Sequence, residues 1–213
     1  VIRGPIKPNV LAPSLGVTVP NCSSSEGTSI GCAVTTGRGA ALMEKHPYLK
    51  VRLDMVMAIL NSGASYLDYA TSYVCENGYN NFTGAGRINY QNSEGDYRVF
   101  ALSLTADPNS STYPYIHEEC EMMYEGERLT ISVAALATAD GDADNTKWPG
   151  IGIYVFKDGD LNNILKGVYS DRSNVQYINY VIPEDGYYVI QVIHHRQTEL
   201  TYPFNFAFSW HIE

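Results

Sequence analysis

Phe204, Phe206, Phe208 and Trp210 alternate with Asn205, Ser209 and His211 at the end of the chain. Successive side chains of a strand point to opposite faces, so this spacing predicts a strand with one apolar face. Five further short runs rich in β-branched and aromatic residues precede it, over 98–104, 129–136, 151–156, 175–181 and 187–193. Turn signals separate them, among them Asp107-Pro108-Asn109, Asp158-Gly159-Asp160 and Pro183-Glu184-Asp185-Gly186. Many short strands with almost no helical periodicity predict an antiparallel β-sandwich or jelly roll over residues 95–213.

Residues 1–94 read differently. The stretch 29–45 is dominated by small residues and carries Gly31, Gly37 and Gly39. Each glycine would cost an exposed helix about 1 kcal/mol, so the composition predicts a helix buried against close neighbours. His46-Pro47 stops it, because proline disfavours a helical residue before it. A second helix is expected over 51–61, where Val51, Met55 and Ile59 fall on one face, and Ser62-Gly63 ends it.

The net charge of −9 and the pI near 5.0 exclude nucleic acid as the expected partner, since phosphate neutralisation needs clustered Lys and Arg. No apolar run approaches the roughly 20 residues of a membrane-spanning helix, so no membrane partner is expected. Cys22, Cys32, Cys75 and Cys120 include no Cys-x-x-Cys pair, which argues against structural zinc. An extracellular disulfide and four buried free thiols fit them equally. The chain opens on Val1 with no initiator methionine or signal pattern, which suggests a cut from something longer.

The segment with most chemical content is Lys7-Pro8-Asn9-Val10-Leu11-Ala12-Pro13, followed by Gly27-Thr28-Ser29 and the small-residue helix. A serine in the opening turn of a helix sits beside unpaired N–H groups and the positive end of the helix dipole. Those groups stabilise charge developing on a substrate oxygen, although serine is also among the commonest helix caps. The order of segments resembles the C-terminal third of subtilisin-like serine protease domains. There a Lys-Pro-Asp-Val-x-Ala-Pro strand precedes Gly-Thr-Ser-Met-Ala-x-Pro, then come two helices and a Gly-x-Gly-x-hydrophobic-Asn segment. Here these are residues 7–13, 27–29, 41–47, 60–64 and Gly84-Ala85-Gly86-Arg87-Ile88-Asn89. The family's Ala and Pro after the serine are Gly31 and Ala33, and Arg38 stands where alanine is usual. An arginine in a buried helix is costly unless paired, so either the helix is exposed or Arg38 meets a carboxylate.

The resemblance implies an incomplete, doubly wound α/β portion over 1–94 joined to an all-β sandwich over 95–213. It makes Ser29 the nucleophile of a serine endopeptidase acting on polypeptide, with Gly27 and Thr28 shaping the site and no cofactor required. The family's His and Asp lie upstream, so the chain alone is expected to be inactive. Its apolar helix faces should pack on that missing part or on a second copy. The sandwich resembles modules of secreted bacterial peptidases, which implies an extracellular location. The competing expectation is a non-catalytic protein- or carbohydrate-binding sandwich attached to a degenerate protease scaffold.

Three weaker signals remain. Asp140, Asp142 and Asp144 alternate as in a calcium loop, but Asn145 takes the glycine position and Ile151 the final glutamate position, favouring a solvated turn. His194-His195 cannot chelate one metal from a strand, because neighbours face opposite ways. Cys32 is expected to be buried and inert.

Overall fold

The computed structural model describes residues 9–15, 17, 26–67, 78–80, 82–94, 98–104, 115–136, 150–170, 173–195 and 204–213. Eight strands are described: β1 Arg98–Leu104, β2 Tyr115–Met123, β3 Arg128–Ala135, β4 Ile151–Lys157, β5 Lys166–Ser170, β6 Val175–Val181, β7 Gly186–His194 and β8 Phe204–Ile212. They form two four-stranded sheets in the orders β1-β8-β3-β6 and β2-β7-β4-β5, with every strand pair antiparallel. The expected sandwich is thus present. Sequence reading missed β2 and β5, and both are edge strands. β2 carries His117-Glu118-Glu119 and β5 is five residues long, devices that blunt an edge and also erase the apolar alternation of a strand.

Between the sheets lies one apolar cluster in which Ile131 and Val133 of β3, Ile153 and Val155 of β4, Tyr188 and Ile190 of β7 and Phe206, Phe208 and Trp210 of β8 meet. Phe206, Phe208 and Trp210 of β8 therefore face inward. Its other face is buried as well, with Ser209 fully covered.

The cover is helical. α1 spans Thr28–Lys45, a short 3-10 turn spans Pro47–Val51, α2 spans Leu53–Ser62 and α3 spans Tyr90–Glu94. α2 lies on the outer face of the first sheet, where Ala58 and Ile59 join Ala134, Val175, Tyr177 and Ala207 in a second apolar cluster. Small residues on β3 and β8 let the helix come close enough for polar groups to pair across the contact. Ser62 Oγ lies 2.8 Å from Ser209 Oγ, and Thr130 Oγ1 donates to the Ser62 carbonyl at 2.6 Å. Arg52 grips buried Asp54 and donates to the Phe206 carbonyl at 3.2 Å, tying the start of the helix to β8.

Two expectations about the helices need correction. α1 was expected to be buried, yet Ser29, Cys32, Ala33 and Gly37 are exposed and only Arg38, Gly39 and Leu42 are buried. Arg38 resolves its burial by meeting Glu94 Oε1 at 3.1 Å and the Tyr90 carbonyl at 2.6 Å. The close approach expected of the three glycines is absent too: a Cβ would sit at an ordinary 3.6 Å from Ala12 and Ser14 on Gly31 and from Val56 on Gly39, and would meet nothing within 4 Å on Gly37. Val51 belongs to the 3-10 turn rather than to α2 and is 83% exposed, so the buried face rests on Met55 and Ile59 without it.

The doubly wound α/β portion expected over residues 1–94 is corrected too. The only parallel pairing among the described residues is the isolated bridge Leu11↔Arg87, and α2 packs on an antiparallel sheet. The physical reason is the match between the apolar face of α2 and the small residues of β3 and β8, which gives this helix a cover within its own chain.

Candidate binding face on the second sheet

With two sheet faces in the core and a third under α2, the fourth is the outer face of β2-β7-β4-β5. Register aligns one row across all four strands: Glu118 opposite Gln191, Gln191 opposite Tyr154, and Tyr154 opposite Gly167. The next row of the β4–β5 pair places Gly152 opposite Tyr169. Two tyrosines and two glycines thus form a checkerboard. Its origin is local: Gly152-Ile153-Tyr154 and Gly167-Val168-Tyr169 each set a glycine two residues before a tyrosine, hence on the same face.

The glycines leave room for the Tyr154 side chain to lie down on the sheet. A Cβ on Gly152 would meet its ring and hydroxyl at 2.5–2.8 Å, and one on Gly167 would meet its ring at 2.8 Å. Tyr154 Oη is 2.8 Å from His195 Nε2, and the imidazole sets its edge against Tyr154 at 5.6 Å and Tyr169 at 5.3 Å between centroids. Partial burial pushes the His195 imidazole down from its usual range, which favours the neutral ring that can accept from the phenol. Burial, with Tyr169 contributing, raises Tyr154, so its proton stays on. The ring is fixed from two sides.

Farther along the row, Gln191 Nε2 donates to Glu118 Oε1 at 2.5 Å, which orients an amide beside an exposed carboxylate. Phe156 and Val189 lie one row away, followed by Met122 opposite Tyr187, which are 38% and 56% exposed. His194 and His195 behave as strand neighbours must, with His194 buried and His195 exposed on the face. The sequence reading passed over this face. The repeated Gly-x-Tyr spacing was its signal.

The residues singled out from the sequence lie elsewhere. Gly27, at φ 142°, precedes α1, and Thr28 and Ser29 are exposed in its opening turn. His46 ends the same helix, 17 positions from Ser29 or about 25 Å at 1.5 Å per residue. Cys32 and Cys120 are both free and exposed, which corrects the expectation that Cys32 is buried. The acidic positions Asp140, Asp142 and Asp144 lie outside the described residues. Among the described residues no group of three or more His, Cys, Asp or Glu is placed to hold a metal, and no helix is long and apolar enough to cross a membrane.

No family model matches the chain, and no curated protein matches it. Among solved structures it is similar to PliG, a periplasmic inhibitor of g-type lysozyme from Aeromonas hydrophila, at 14% identity, covering 55% of this chain and 86% of that one with a TM-score of 0.35. A pre-peptidase C-terminal domain of collagenase from Bacillus anthracis is similar at 13% identity, covering 53% and 87% with a TM-score of 0.37. A third likeness is to a structure titled "CBM4 structure and function", at 16% identity, covering 52% and 66% with a TM-score of 0.35. Overlaps this loose transfer no ligand or activity to the present chain.

The subtilisin-like membership expected from residues 7–89 is corrected: the described strand pairs are all antiparallel and lack the parallel ladder of a doubly wound sheet. The serine endopeptidase assignment falls with it, because the roles of Ser29, Gly27 and Thr28 rested on that membership.

Proposed function

We propose that the chain is a non-catalytic binding module whose ligand lies across the outer face of the second sheet, over the row Glu118–Gln191–Tyr154–Gly167. The observation that carries this is the Tyr154 ring laid over Gly152 and Gly167 and held by His195. Glycine weakens a strand and often marks a place where a ligand or another backbone comes close. Two of them on one face of adjacent strands make that face level. A tyrosine fixed on such a surface offers a large contact area with little entropy left to lose on binding. The reading requires no cofactor and keeps the extracellular location expected from the sequence.

The test is retention of the full chain on insoluble cellulose, on chitin and on beads carrying gelatin or casein. Tyr154→Ala is expected to release the protein from whichever support holds the wild type, while Ser29→Ala stays bound. Retention that survives Tyr154→Ala, or no retention on any of the four supports, contradicts the proposal.

A further inference from the structure

Resting on that reading of the face, we infer that the ligand is a chain of neutral hexopyranose sugars, with one ring stacked on Tyr154. Three features of the row argue for it. The first is position. β7 and β4 are the central strands of their sheet, so their backbone donors and acceptors are already spent in ladders on both sides. A polypeptide adding to a sheet gains its main-chain hydrogen bonds at an exposed edge strand, and none are on offer in the middle. A ligand lying over β7 and β4, where Gln191 and Tyr154 stand, must bind through side chains alone.

The second is the chemistry offered. An aromatic face carries negative charge density and meets weakly positive C–H groups well. One side of a pyranose ring presents such hydrogens, while its hydroxyls project around the rim. Strands stand about 4.8 Å apart, so the row places a phenol, an amide and a carboxylate within roughly 10 Å. The amide of Gln191 both donates and accepts, and the Glu118 carboxylate accepts, which suits the hydroxyls around a stacked sugar. An apolar peptide side chain would leave both polar groups desolvated and unrewarded.

The third is charge. No lysine or arginine occupies the row, Glu118 is exposed within it, and the chain carries a net charge of −9. Uronic or sulfated sugars would be repelled, and neutral ones would not.

The experiment is calorimetric titration of the full chain with cellohexaose, xylohexaose and N-acetylchitohexaose, alongside hexagalacturonate and a gelatin digest. Xylohexaose lacks the hydroxymethyl group of a hexose and serves as a control for its contribution. Cellohexaose or N-acetylchitohexaose is expected to bind, with at least about tenfold weakening in Tyr154→Ala, in Gln191→Leu and in Gly167→Val, whose side chain displaces the ring. Circular dichroism checks that each variant is folded, and Tyr154→Phe is expected to retain stacking. Binding of hexagalacturonate, of xylohexaose alone, or of the gelatin digest alone overturns the neutral-hexose assignment and leaves the binding-module reading standing. Folded protein that binds none of the five overturns both.

Discussion

Ser62 and Ser209 share a hydrogen bond of 2.8 Å although neither residue has any exposed surface, and that bond joins α2 to β8. A buried hydroxyl deprived of its partner costs about 1–3 kcal/mol, more than the bond contributes in net terms. Ser209→Ala should therefore destabilise the protein by about 1–2 kcal/mol, since the remaining contact of Ser62 Oγ with the Ile59 carbonyl is long at 3.4 Å. The double change with Ser62→Ala should cost less than the two single changes added together. Urea midpoints at constant slope measure both.

The glycines separate packing from backbone strain. Gly78 and Gly126 have nearly the same backbone, at φ 83° and 86°. A Cβ on Gly126 would meet nothing within 4 Å, whereas one on Gly78 would lie 1.8 Å from the Tyr177 carbonyl oxygen. Gly126→Ala should cost only the left-handed conformation, about 1–2 kcal/mol. Gly78→Ala must push β6 away from the segment covering it and should be several kcal/mol worse. Thermal melts of the two variants compare them directly.

Acid should weaken the fold through His194. Burial, with the neighbouring His195 adding a smaller push, lowers its pKa from 6.5 to about 4. The unfolded chain then binds a proton between those values that the folded chain does not. Stability is fully present above pH 6.5 and is lost as pH falls toward 4, by about 3 kcal/mol at most. His194→Gln should flatten the slope of stability against pH in that window. Denaturation at a series of pH values measures it.

The helices and the sandwich should unfold together. Ala134, Val175, Tyr177 and Ala207 of the first sheet share one apolar cluster with Ala58 and Ile59 of α2. Separation would expose that surface on both sides, together with Ser209 and Thr130. The division at residues 94 and 95 should therefore mark a change of architecture with no independent folding unit on either side. Far-ultraviolet dichroism and tryptophan fluorescence should give coincident transitions, and a fragment of residues 95–213 should melt well below the full chain.

Legibility in the sequence tracked how completely a residue's neighbours were written nearby. Strands 98–104 and 175–181 match β1 and β6 residue for residue, because their apolar runs and turn signals are local. β2 was hidden by Glu118, Glu119 and Glu121, which belong to a blunted edge. The alternation of β8 identified its inward aromatics and put Ser209 on the opposite face, without saying what covers it. Its true environment is a helix more than a hundred positions away in the chain, and alternation by itself does not report what covers a polar face. The site failed for a related reason. Ser29 drew attention through ordered short segments, whereas Tyr154 gains its meaning only when register sets Gly167 beside it. Arg38 shows the middle case: its need for a carboxylate was readable, and the identity of Glu94 was not.

The central claim is that the outer face of β2-β7-β4-β5 holds the ligand. Hydrogen exchange on the full chain, with and without saturating cellohexaose or N-acetylchitohexaose, tests it most directly. Protection should appear in peptides covering 150–170 and 187–195 and leave α1 and the Ser29 turn unchanged. Protection confined to residues 26–45, with the sheet exchanging as it does unliganded, would contradict the account.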